Sequence, residues 1–258
     1  MIKIMNFYNN LIKYLTSCME LSWIEIKLRY ARSILGPIWI VVSSMVLIGG
    51  LTFVFNSLWG MDVKTIVPWI AIGVIVWGFI QTVVEEGSQL LMNDLFNNLA
   101  IKPIKWCLIH VFKNIIILSH NFIIIGLAIY FCDVKLNFNI FWMAYGIVVL
   151  LINSISFSIL FSFLCTRYRD FILIIRNAMF LLFLITPIFW MPEVLKGNRQ
   201  LLAEWNILFQ IIQTIRDPLL GNGLSKFNLV YTSSFTLFFG ILTFVIYNKY
   251  KKKFLYWI

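Results

Sequence analysis

Six stretches free of Asp, Glu, Lys and Arg, at residues 38–61, 65–84, 114–132, 136–166, 177–192 and 227–248, dominate this sequence. A helix needs roughly 20 apolar residues to cross a hydrocarbon core about 30 Å thick. Lipid offers the backbone no hydrogen-bond partners, so the crossing segments must satisfy their own N–H and C=O groups, as helices do. The runs therefore predict an all-α membrane protein with six transmembrane helices at 38–58, 66–84, 114–132, 140–165, 172–190 and 227–247. The fifth reaches its length only by extending back over Arg176, which snorkels from about one turn inside the boundary. Composition agrees. The chain is 61% hydrophobic and 12% charged, against about 45–50% and about 25% in soluble domains. A chain of 258 residues has too little interior to bury such an excess, so lipid takes up the remainder.

The net charge of +10 points to nucleic acid or to an anionic membrane. The basic residues sit in short groups between apolar runs, with no basic face on a soluble domain, which excludes nucleic acid. They also set the orientation. Fifteen Lys and Arg fall on the side of the two termini and six on the other, so both termini are expected in the cytosol, with the chain in a bacterial cytoplasmic (inner) membrane. Asn6, Asn9, Asn10 and Lys13 interrupt any apolar core of a cleavable signal, and none is expected. Cys18, Cys107, Cys132 and Cys165 have no metal-ligand spacing and read as small apolar side chains.

Three pieces lie outside the crossings within a single domain, 1–258. In 19–35, Leu21, Ile24, Leu28, Ala31 and Leu35 form one helical stripe, and Trp23, Ile26, Tyr30 and Ile34 a second. This predicts an amphipathic helix at the membrane interface, flanked by Lys27, Arg29 and Arg32 and broken by Gly36-Pro37. Residues 85–113 are too apolar for a free loop and too charged for a crossing. Residues 193–225 include the helical pattern Leu201, Leu202, Trp205, Leu208, Ile211, Ile212 and Ile215, ended by Arg216, Asp217 and Pro218. They predict an external re-entrant helical hairpin before the last crossing.

Several chemistries are missing. No glycine is followed by lysine, so there is no phosphate-binding loop for ATP. There is no GxSxG, HExxH or paired CxxC. The middles of the crossings carry no Asp, Glu, Lys or Arg, as an ion-coupled carrier would use. Glu85 and Glu86 stand at the edge of the second crossing without an evident partner. His120, inside the third, reads either as a functional group or as a neutral histidine bonded to a neighbouring helix.

The segments IKLRYARSILGPIW (26–39), His120-Asn121, RYRDF (167–171), TPIFWMP (186–192) and IRDPLLG (215–221) occur in this order on a six-crossing frame. With them the chain resembles the membrane permeases of type-two ABC exporters for O-antigen, capsule and teichoic-acid polysaccharides. That resemblance implies a homodimer docked on two copies of a separate ABC ATPase. It places ATP and Mg on the partner and no cofactor on this chain. The cargo it implies is a lipid-linked glycan on an undecaprenyl diphosphate carrier, and the chain itself is no enzyme. It also makes the 94–105 region the coupling element.

Residue readings follow. Lys27, Arg29 and Arg32, with Leu35 and Gly36 at the turn into the membrane, meet either a lipid diphosphate or ordinary anionic headgroups. Asp94, Asn97, Asn98, Lys102, Pro103 and Lys105 form the ATPase contact, because apolar residues interleave them as in a transient interface; the bland alternative is a solvated loop. Trp77, Phe79, Phe189 and Trp190 are candidate channel aromatics for stacking on sugar rings. Trp59, Trp69, Trp106 and Trp257 fit an interfacial belt. The rival functions are an ABC exporter of a small molecule or lipid, and a membrane enzyme acting on a lipid-linked sugar.

Overall fold

The structure, a computed structural model, describes residues 2–34, 36, 38–92, 102–134, 139–194 and 200–251. Helix accounts for 86% of it, with no strand among the described residues. In chain order the helices are α1 (Ile2–Tyr30), α2 (Ile38–Trp59), α3 (Val63–Gln89), α4 (Pro103–Phe131), α5 (Ile140–Arg167), α6 (Phe171–Ile185), α7 (Gln200–Glu204), α8 (Ile207–Leu219) and α9 (Lys226–Tyr250). Five of them, α2, α3, α4, α5 and α9, are long and apolar enough to cross a membrane.

Local chemistry sets the ends. Asp62 starts α3 by accepting from the backbone N–H of Lys64, and Asn139 starts α5 by accepting from Phe141 and Trp142. Ser225 does the same for α9 through Asn228 N–H. Each satisfies donors that a helix N-terminus leaves without partners. Pro103 opens α4, where its missing N–H costs nothing. Thr186, with ψ at 136°, closes α6 because the following Pro187 pushes it out of the helical region.

The bundle is built around α3. In its most apolar window 72% is buried, against 11% for α2 and 17% for α9, so those two stand at the periphery. α3 packs on α2, α4, α5, α6 and α8. Its buried Ile66, Ile70, Ile72, Val76, Ile80 and Val83 run the length of the main core. A second, smaller core joins Cys18 of α1, Leu90 and Leu91 after α3, Trp106, Cys107 and Ile109 of α4, and Ile159 and Phe163 of α5. Tyr247 and Tyr250 of α9 pack on it, so the ends of α1 and α9 lie at the same end of the bundle. Four cysteines are buried thiols.

Small residues let backbones approach, as helix contacts within a membrane favour. A Cβ on Gly146 of α5 would collide with the Thr214 carbonyl of α8. Polar side chains then join helices across the apolar interior. Tyr145 Oη donates or accepts among Leu229 O at 3.1 Å, Thr232 Oγ1 at 2.7 Å and Ser233 Oγ at 2.9 Å. Asn153 Nδ2 donates to Thr236 Oγ1 at 2.7 Å. Both tie α5 to α9. Tyr145→Phe removes the first tie and is expected to destabilise the chain by about 1 kcal/mol. A thermal melt of the purified variant in detergent that overlays the wild type would sink this account.

The boundaries differ from the sequence expectation in four places. The expected interface helix, 19–35, is α1, which begins at Ile2 and ends at Tyr30. The region 85–113 is mostly absorbed into its neighbours: α3 runs on to Gln89, a 3-10 turn covers Leu90–Met92, and α4 starts at Pro103. α6 spans 15 residues and stops at Ile185, where 172–190 was expected. The apolar pattern of 201–220 is not continuous and is divided between α7 and α8. Asn206 breaks it and caps α8 by accepting from Leu208 and Phe209 N–H at 3.0 and 3.2 Å.

Candidate functional site

The charged residues that looked like membrane boundaries converge at one end of the bundle. Glu86 lies on the last turn of α3, Arg29 on the last turn of α1, and Lys113 three turns into α4. Arg29 Nη2 donates to Glu86 Oε1 at 2.7 Å, and Lys113 Nζ donates to Glu86 Oε2 at 2.8 Å. Lys113 also stands 3.5 Å from Glu25 Oε1 of α1. It is only 3% exposed, and a buried ammonium needs such partners. His110 stays beside the cluster, its Nε2 3.3 Å from Val83 O and its Nδ1 4.0 Å from Glu86 Oε2. Partial burial alone lowers the Arg29 pKa, but the Glu86 charge and hydrogen bond outweigh it, so the guanidinium is held above its usual value. Three helices are thus joined through one carboxylate that sequence reasoning left without a partner.

A cavity of about 270 Å³ opens beside this cluster, between α1, α2, α3 and α4. Arg29, Tyr30 and Glu86 line one part of it, with Asn114, Asn121, Thr82, Ser43 and Ser44 among the other polar residues and Phe79 on the wall. Thr82 Oγ1, Ser43 Oγ and Ser44 Oγ each donate to a carbonyl of their own helix. Asn121 is 8% exposed and its Oδ1 has no hydrogen-bond partner among the described residues.

The other predicted residues fall as follows. Lys27 is exposed beside the Trp23 ring, 5.6 Å from its centroid. Arg32 is exposed beyond the end of α1. Gly36 adopts φ +56°, the left-handed turn before α2. Leu35, Asp94, Asn97 and Asn98 lie outside the described residues. Lys102 is the exposed cap of α4 and Pro103 is buried at its start. Lys105 donates to Ser17 Oγ at 2.9 Å, holding α4 to α1. Of the aromatics, Phe79 reaches the cavity. Trp77 is buried in the core and donates to Gln81 Oε1 at 3.0 Å. Phe189 packs on Phe55 and Phe183. Trp190 donates to Leu184 O at 3.3 Å and accepts from Trp69 at 3.2 Å. Trp106, expected in the interfacial belt, is buried and donates to Leu90 O. His120 Nδ1 contacts Ile116 O of its own helix at 2.7 Å and bonds to no neighbouring helix among the described residues.

At the opposite end lies a second constellation. Arg216, read from the sequence as a helix terminator, is fully buried within α8. Its Nη1 and Nη2 donate to Pro187 O and Ile188 O, each at 3.1 Å, and Nη1 reaches Gln213 Oε1 at 3.3 Å. The guanidinium lies 3.8 Å from the centroid of the Trp69 ring, a close cation–π stack. Asn206 Nδ2 adds a bond to Thr186 Oγ1 at 3.0 Å. The IRDPLLG and TPIFWMP segments therefore meet directly. A Cβ on Gly73 of α3 would strike both the Arg216 guanidinium and the Ile188 carbonyl. The sequence signal was present in these two segments, but not the reason for the arginine.

An all-helical chain with five membrane-length helices, polar ties in its interior and a charged cluster at one end defines a multi-pass membrane protein. The family model for the ABC-2 type transporter matches residues 16–220, and the chain belongs to that family. It is a transmembrane permease component, the part of an ABC transporter that partners an ABC ATPase. No curated protein sequence matches it.

Proposed function

We propose that this chain is the membrane subunit of an ATP-driven exporter that moves a lipid-linked polysaccharide, O-antigen-like, across the bacterial cytoplasmic membrane. Two copies form the path, each docked on one ATPase subunit that carries the ATP and Mg. Both termini are cytosolic, and the Arg29–Glu86–Lys113 cluster faces the cytosol. α6 makes a sixth crossing. Its 15 residues cover about 22 Å at 1.5 Å per residue, and residues 186–190 complete the distance. α7 and α8 form the external re-entrant hairpin. α1 lies along the cytosolic interface, with Leu11, Ile12, Met19, Trp23, Ile24 and Leu28 exposed and Cys18, Ser22 and Ile26 buried against the bundle.

The observation that carries this reading is the Arg216 constellation. The segments by which the chain resembles polysaccharide exporters are not scattered matches; two of them are one packed unit. Arg29, at the wall of a polar cavity, supports an anionic carrier lipid as the entering group. Deleting the gene is expected to remove polymer from the cell surface and to accumulate lipid-linked glycan inside. Unchanged surface glycan would overturn the polysaccharide cargo and put a smaller lipid or drug in its place.

The coupling element is residues 94–105. Asn97→Ala, Asn98→Ala and Lys102→Glu, combined, are expected to abolish ATP-driven transport in reconstituted vesicles while the dimer stays folded. Lys105 is left alone because it holds Ser17. Loss of the dimer on size exclusion would overturn the assignment.

A further inference from the structure

The cavity beside Glu86 has an arginine on its wall, but that arginine is already occupied. Glu86 Oε1 receives Arg29 at 2.7 Å, while Glu86 Oε2 is held independently by Lys113 at 2.8 Å. Arg29 is the more exposed member: its side chain is 42% exposed, against 4% for Lys113. Should Arg29 turn away, Glu86 keeps Lys113 and is not left as an orphaned carboxylate, the costly outcome for a partly buried ion. Asn121 lines another part of the cavity; its enclosed Oδ1 lacks a partner among the described residues, and an unsatisfied buried acceptor calls for a donor. The phosphodiester of a bilayer headgroup supplies only acceptors. A sugar supplies hydroxyl donors, and the Phe79 ring offers it a flat apolar face.

We propose that this cavity is a binding site for a glycosyl phosphate group, in which Glu86 is a built-in anion that occupies Arg29 until the ligand's phosphate takes its place and the first sugar reaches Asn121. This deepens the exporter reading above and rests on it. The exchange swaps one charge-assisted bond for another, so Arg29 is never left bare and α1 loses its tie to α3 only when cargo is present. Glu86 and Lys113 position Arg29 and do not themselves touch ligand. The pairing sets a threshold: an anion must compete with a resident carboxylate, which selects against weak, singly charged headgroups.

The test uses the full-length protein in phosphatidylcholine nanodiscs. The radiolabelled probes are farnesyl diphosphate carrying one N-acetylglucosamine and farnesyl diphosphate alone. Arg29→Gln is expected to weaken both probes about tenfold or more, the scale of one lost charge-assisted bond. Asn121→Leu is expected to weaken only the glycosylated probe. Glu86→Gln is expected to tighten both, since it removes the competing anion. Glu86→Gln binding that is unchanged or weaker overturns the built-in anion. Equal effects of Asn121→Leu on both probes overturn the sugar contact. Phosphatidylglycerol nanodiscs that displace the glycosylated probe as well as unlabelled probe does make the source a bilayer headgroup and overturn the proposal. Should Glu86→Gln not yield monodisperse protein, Arg29→Lys against Arg29→Gln decides: charge retained without the fork should keep part of the binding, and equal loss in both overturns the role of charge. Surface glycan in the deletion strain judges the exporter reading separately, so the two can fail apart.

Discussion

Gly146→Val is expected to be the most damaging single substitution in this chain. α8 is a short helix seated against α5, and Gly146 is where the two backbones come closest. A side chain there would meet the Thr214 carbonyl oxygen and carbon and the tip of Ile215. Backbone cannot swing aside as a flexible side chain can. Thr214 and Ile215 are themselves almost fully buried, so α8 has no room to translate. Overpacking of a dense interior typically costs about 1–3 kcal/mol, and a collision between main chains belongs at or beyond the upper end. Displacing α8 also drags Asn228, whose Nδ2 donates to Gln210 O at 2.9 Å and to Gln210 Oε1 at 2.7 Å, and so loosens α9. The expected result is aggregation on solubilisation, or a melt far below wild type. Wild-type yield and melting would mean that α5 and α8 are not packed as described.

Arg216→Ala is expected to come second, through loss and not through crowding. The guanidinium serves two carbonyls, a glutamine and an indole face at once. Truncation leaves Pro187 O and Ile188 O without donors in a buried place and opens a void the size of the lost side chain. Leaving a buried acceptor without its donor costs about 1–3 kcal/mol, offset in part because the desolvated charge leaves with the side chain. Arg216→Lys should recover part of this, since an ammonium keeps the charge but cannot fork to two carbonyls. Thermal melts of the three proteins should rank wild type, Lys, Ala. A Lys variant as stable as wild type would show that charge alone matters and that the fork does not.

Much of the helical frame was readable from the spacing of charges, because an apolar run of 20 residues has few alternatives to a membrane helix. The misplacements share a cause: charges and polar residues were read as boundaries. Glu86, Lys105 and Lys113 sit inside α3 and α4 because Arg29, Glu25, Ser17 and one another give them partners, and pairing of this kind is tertiary. Asn6, Asn9, Asn10 and Lys13 were weighed only against a cleavable signal and the helix was expected from residue 19, yet neither glycine nor proline precedes Gly36, and that absence of breakers was the better signal for α1. Pro103 as an opener and Pro187 as a terminator were equally visible. The candidate site was half legible. Arg29 was named for its charge, whereas Glu86, Lys113, Asn114 and Asn121 surround it only through the crossing of α1, α3 and α4. Arg216 was misread because a lone arginine before Asp-Pro looks like a helix end, and nothing local announces two carbonyls waiting across the chain.

α4 runs unbroken for 29 residues, about 43 Å at 1.5 Å per residue. Near its start it is strapped to α1 by Lys105–Ser17 and by the Ser22 hydroxyl on Ile109 O. Just past its far end, Asp133 meets Lys64 at 2.9 Å. Such a rod reaches from the end that holds the Glu86 cluster to the opposite end of the bundle. A tilt of about 5° imposed at Lys102 carries the distant tip sideways by about 4 Å over that length, enough to pull Asp133 off Lys64. One unbroken helix therefore joins the charged cluster at one end of the bundle to an ion pair at the other, with no smaller parts between them.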